Sequence, residues 1–115
     1  MKTYNTIEEV KADIKGGVLT VNDSVTFNFS LVVAANLKIA GYINAGNIDA
    51  WNIKAWNINA GDINARNIDA GNINAENIQF YAVAFAYDSF VCRSIMGRRK
   101  NSKFFCLDSE VKFKI

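Results

Sequence analysis

Between Ala35 and Ile78 the apolar positions recur neither every 3.6 residues, as on a helix, nor every two, as on a strand, but every fifth residue. Alanine stands at Ala35, Ala40, Ala45, Ala50, Ala55, Ala60, Ala65, Ala70 and Ala75. Isoleucine stands two residues ahead of most of these, at Ile43, Ile48, Ile53, Ile58, Ile63, Ile68 and Ile73, and Ile78 and Val83 continue the series. The unit reads Ile-x-Ala-x-Asn, with Asp62 once replacing asparagine. Residues two apart on an extended segment point the same way, so Ile43 and Ala45 face one interior together. The next three residues turn a corner before Ile48 and Ala50 face inward again, and Gly or Asn at the corner suits tight turning. Four such sides predict a square coil of about 20 residues, stacked at the strand spacing of about 4.8 Å. The opposite register, with Ala and Asn inside, would expose a row of eight isoleucines, an aggregation liability, and is rejected.

A fixed period over this length is the mark of stacked repeats. The units resemble the pentapeptide-repeat family, and Ala35-Asn36-Leu37 matches that family's usual Ala-Asp/Asn-Leu core unit. The later units depart from it by placing Ile first and Ala second. The resemblance implies an all-β solenoid, a right-handed quadrilateral β-helix, here of about three to four coils. Weaker traces extend the fives upstream through Val25-x-Phe27, Ser30-x-Val32 and Ala35-x-Leu37, and downstream through Val83-x-Phe85. The segment FYAVAFAYDSFVCRSIMGRRKNSKFFCLDSEVKF is similar to the C-terminal part of small phage and prophage proteins that carry the same units, which implies a mobile-element origin.

The chain of 115 residues suits one domain, divided into an N-terminal capping helix (1–17), a solenoid (18–92) and a basic C-terminal cap (93–115). Thr6-Ile7-Glu8-Glu9 is a capping box, Ile7, Val10 and Ile14 form one apolar stripe, and Gly16-Gly17 stops the helix. Such a helix would plug the first coil. At the other end Val111, Phe113 and Ile115 alternate with Lys112 and Lys114 and read as a strand that closes the coil or pairs with a second copy in a homodimer.

Composition narrows the chemistry. Half the residues are apolar, and no run is long enough for a membrane-spanning helix. The N-terminus lacks a secretory h-region, so cytoplasmic residence, in a host cell, is the expectation. There is no histidine, no Gly-rich phosphate loop and no nucleophile elbow, so an enzyme is not expected and no catalytic residue is assigned. Cys92 and Cys106 fall short of a metal site and read as small apolar side chains; no metal or cofactor is expected. Asp49 and Asp69, one square coil apart, read as hydrated carboxylates. The row Asn47, Asn52, Asn57, Asn67, Asn72 and Asn77 reads as ladder or corner hydrogen bonding.

Charge and aromatics carry the binding candidates. Residues 1–92 hold 6 Lys/Arg against 9 Asp/Glu, whereas residues 93–115 hold 7 against 2. Trp51, Trp56 and Arg66 occupy the outward corner position. A square coil would set Trp51 over Gly71, Trp56 over Glu76 and Arg66 by Gly46. Each indole then either packs on the helix or tail or stands free as an anchor for a partner. Arg93, Arg98, Arg99, Lys100 and Lys103 have no acid among them and suit phosphates or an acidic protein face. Pentapeptide-repeat proteins often imitate duplex DNA with an acidic surface, but residues 35–79 carry three basic against four acidic residues, too few negative charges for that role. The leading expectation is a non-enzymatic phage protein that binds and inhibits a host protein, such as a CRISPR-type defence nuclease. A nucleic-acid-binding module using the basic loop and an oligomerising spacer are the alternatives.

Overall fold

The computed structural model describes residues 1–114. One parallel β-solenoid of about six turns, with a single short helix near its start, contains all 14 strands in one continuous sheet system. The number of turns exceeds the three to four expected because the central turns are shorter and because the C-terminal segment adds a further one. Ile63 pairs with Ile48 and Ile68 with Ile53, and Asn67 hydrogen-bonds Asn52 at a separation of 15 residues. Three pentapeptides, not four, therefore complete a coil, and the cross-section is three-sided.

Each side can be followed down the stack through its inward residue. The first face runs Leu19, Leu37, Ile53, Ile68, Ala84, Phe104. The second runs Val25, Ile43, Ile58, Ile73, Phe90, Val111, and Lys2–Tyr4 lies above it beside Val25–Phe27. The third runs Leu31, Ile48, Ile63, Ile78, Ile95. Ile and Ala do face inward: every isoleucine from Ile43 to Ile78 in the series is at most 2% exposed, with Ala50, Ala55, Ala60, Ala65, Ala70 and Ala75 buried beside them. A long side chain next to a short one fills the narrow interior at the density of a normal protein core.

Two stretches leave the expected frame. Leu31 and Val33 point in and Val32 points out, so Ser30-x-Val32 is not an inward pair. Below Ala65 the register slips by one residue at a bulge, and again below Ala70. The first slip buries Ala84 and Ala86, while Phe85 turns outward and stacks on Phe105 with centroids 5.4 Å apart. The bulges are the cost of fitting the longer segment Asn77–Cys92 onto the 15-residue coil.

The helix spans Ile7–Asp13, with Thr6 as N-cap and the reciprocal Thr6–Glu9 capping box in place. Val10 is fully buried, and Ile7 and Ile14 pack against the same core, so the helix covers the top of the coil. Gly16 and Gly17 do not end it. They sit at φ 58° and 77° and turn the chain between Ile14–Lys15 and Val18–Val21, the one antiparallel pairing among the described residues. Both positions of such a two-residue turn need positive φ, which glycine adopts without strain.

The C-terminal segment continues the coil. Ser94–Gly97, Lys103–Cys106 and Val111–Phe113 add one strand to each face. Val111 packs inward and Phe113 is exposed; Ile115 lies outside the described residues. No helix of the described residues is long and apolar enough to cross a membrane.

Three asparagine ladders run down the corners. Asn52 donates to Asn36 at 3.0 Å and Asn67 to Asn52 at 2.9 Å. Asn72 donates to Asn57 at 2.6 Å, and Ser89 donates to Asn72 at 2.8 Å. Asn77 donates to Asp62 at 3.0 Å, and Ser94 to Asn77 at 2.7 Å. Each amide satisfies its neighbour where the backbone bends away from the sheet.

Candidate functional site

The side chain that follows each inward alanine stands at a corner and projects outward. With 15 residues per coil, corner residues align in columns that differ from those of a square. Trp51 lies over Arg66, not Gly71, and Trp56 lies over Gly71, not Glu76. Arg66 therefore has Trp51, not Gly46, as its neighbour. Asp49 lies against Asn64 and Asp69 against Lys54, so the two aspartates are not stacked.

The corner between the third and first faces carries the most distinctive column. Arg66 donates its backbone N–H to Trp51 O, and its guanidinium sits 4.8 Å from the centre of the indole. Phe80 pairs with Ala65, and Gly97 with Phe80, so Tyr81 and then Arg98 follow at the same corner. Arg98 donates from its backbone to Phe80 O at 2.8 Å and from Nη2 to Ala65 O at 3.2 Å. The result is a corner column, Trp51, Arg66, Tyr81 and Arg98 on successive coils about 4.8 Å apart, in which the Arg98 side chain reaches up past Tyr81 to the level of Ala65. Arg66, Tyr81 and Arg98 line a shallow cavity beside it. A guanidinium held over a ring is already partly desolvated and oriented, and stacking on the ring leaves its edge free for an anion.

Arg99 and Lys100 extend the ridge at its lower end. Their loop is held by Ser102, whose hydroxyl lies 2.5 Å from Tyr81 O and accepts from the Arg99 N–H at 2.9 Å. Lys103 begins the last strand of the first face, beside Val83. The tail's two acids, Asp108 and Glu110, come after Leu107, which is bonded under Ala86 at the next corner, and so leave this end of the ridge basic.

The other expected contact residues lie elsewhere. Arg93 is on the third corner, where its Nε donates to Glu76 Oε2 at 3.2 Å and Lys114 reaches Glu76 Oε1 at 3.3 Å. Arg93 and Lys114 thus share the one carboxylate of Glu76. Trp56 is on the corner between the first and second faces, with Gly71 and then Tyr87 below it, and lines a separate cavity. Both indoles reach solvent, Trp51 at 37% and Trp56 at 63% exposure, so neither serves as packing for the helix or tail. Tyr81 was not singled out in the sequence, although a step of 15 from Arg66 would have found it.

Both thiols are free; Cys92 is buried, and that burial raises its pKa. Among the described residues no three His, Cys, Asp or Glu side chains converge. Comparison with protein-family models, with curated proteins and with solved structures returns no match.

Proposed function

We propose that this chain is a non-catalytic recognition scaffold that grips an acidic face of a host protein through Trp51, Arg66, Tyr81 and Arg98, with Arg99, Lys100 and Lys103 at the lower end. The column of aromatic and arginine residues along one rigid corner, with Arg66 held over Trp51, carries this reading. Trp, Tyr and Arg are the residue types that dominate protein interfaces, and a scaffold with every backbone strand hydrogen-bonded loses little freedom when it binds. The resemblance of the tail to phage and prophage proteins makes a defence nuclease, of the CRISPR type among others, the target class of choice, with inhibition as the outcome.

One observation favours a second reading, binding of single-stranded nucleic acid. Ring platforms flanked by cations accept bases and phosphates. The cations thin out above Arg66, however, whereas a strand-binding groove is basic along its length.

Affinity capture from host extract tests the first reading. The wild type should retain a defined partner, the Arg66→Ala/Arg98→Ala variant should lose it, and the Arg93→Ala variant should keep it. Equal retention by all three would sink the ridge. Binding of labelled single-stranded RNA or DNA that weakens steeply between low and physiological salt would select the second reading instead.

A further inference from the structure

A second site lies one corner away. Trp56 stands between two glycines of its column: its N–H bonds to Gly41 O above, and it leans over Gly71 below. A Cβ on Gly71 would lie 2.6 Å from Trp56 O, so the backbones approach closely here, and the indole lies at ordinary contact distance from that position. With no side chain beside it in the column, the ring borders a cavity of about 370 Å³. That volume falls within the range of small-molecule sites, roughly 300–1,000 Å³. Val21, Ile39 and Ala55 are among its apolar lining, and Lys38, Lys54 and Asp69 are its charged groups.

The lysines point to an anion. Lys38 and Lys54 are direct partners across adjacent coils of the first face. Like charges in that relation are destabilising, and elsewhere this chain avoids them. Among the described residues neither ammonium has a carboxylate within 4.0 Å, although Asp69 is the next residue down the column. Such a local breach of a stability rule is the mark of a functional site. An anion between the two ammoniums would turn repulsion into attraction.

We infer that this cavity binds a free mononucleotide-like ligand: a planar heteroaromatic ring on the Trp56 indole, with a phosphate held by Lys38 and Lys54. Asp69 then accepts from an amino group on the ring. The site is on a different corner from the ridge, so either can fail alone.

Isothermal titration of the full chain with the four ribonucleoside monophosphates, the parent nucleosides and inorganic phosphate tests this. At least one monophosphate should bind saturably, at least 10-fold tighter than its nucleoside and than phosphate. Lys38→Gln/Lys54→Gln, two exposed changes that leave the core intact, should weaken it at least 10-fold, and Trp56→Ala likewise. Lys112→Gln, an exposed change on the second face, should leave it unchanged. The inference is overturned if no monophosphate binds more tightly than its parts, or if the lysine variant binds as well as the wild type. It is also overturned if a short oligonucleotide displaces the mononucleotide at far lower concentration, which would make the site a strand-binding one.

Discussion

Replacing Ile68 by alanine tests whether the three-sided interior is close-packed. Ile68 is 1% exposed and sits in mid-stack on the first face, between Ile53 above and Ala84 below. The change deletes three carbon atoms, worth about 2.4 kcal/mol at roughly 0.8 kcal/mol per buried group. The neighbouring strands are fixed by ladder hydrogen bonds on both sides and cannot close the gap, so a cavity cost of about 1 kcal/mol adds to this. The expected loss is about 3.5 kcal/mol, a factor of roughly 400 in the folding equilibrium. Urea unfolding followed by tryptophan fluorescence and by far-UV circular dichroism measures it, two probes being needed because stacked repeats can unfold in parts. Val32→Ala, at a residue 66% exposed, should shift stability by less than about 0.5 kcal/mol. A loss at Ile68 below about 1.5 kcal/mol would show that the coil relaxes inward and would refute the packing account.

Asn72→Ala removes both the donor to Asn57 and the acceptor for Ser89; a cost of about 2 kcal/mol is expected by thermal unfolding, against a few tenths for the exposed Asn59→Ala. The Tyr4 hydroxyl donates to Asp13 at 2.7 Å and, with Lys2 nearby, holds that carboxylate below its ordinary pKa. A lowered pKa contributes stability above the unfolded value that disappears as pH falls through the folded one. Tyr4→Phe, which keeps the stack on Phe27, should therefore lose less stability than the wild type on going from pH 5 to more acidic buffer. A thiol titration with a disulfide reagent should find Cys106 reactive in the native protein and Cys92 only after unfolding, because Cys92 is buried and its thiolate disfavoured.

The period of five was enough to read the solenoid, its inward Ile–Ala pairs and the asparagine ladders. It was silent on the number of sides, since three and four corners both satisfy it. Charge offered one hint: at a step of 15 Lys54 stands opposite Asp69, whereas at 20 Asp49 would stand opposite Asp69. Choosing the square separated Trp51 from Arg66 and hid Tyr81. The outward turn of Phe85 was illegible for another reason. It depends on a bulge between Phe80 and Val83, which the apolar run from Phe80 to Tyr87 does not mark with glycine or proline.

Three pentapeptides to a turn also make length a form of angular bookkeeping. Inserting or deleting one pentapeptide rotates everything beyond it by one side, roughly 120° about the axis, while the core stays continuous. Such a change after Arg66 would carry Tyr81 and Arg98 round to another corner with every buried contact type preserved. A change of 15 residues adds or removes a whole storey and keeps each column plumb. Within the regular repeats, then, the fold tolerates steps of one unit that its surface does not.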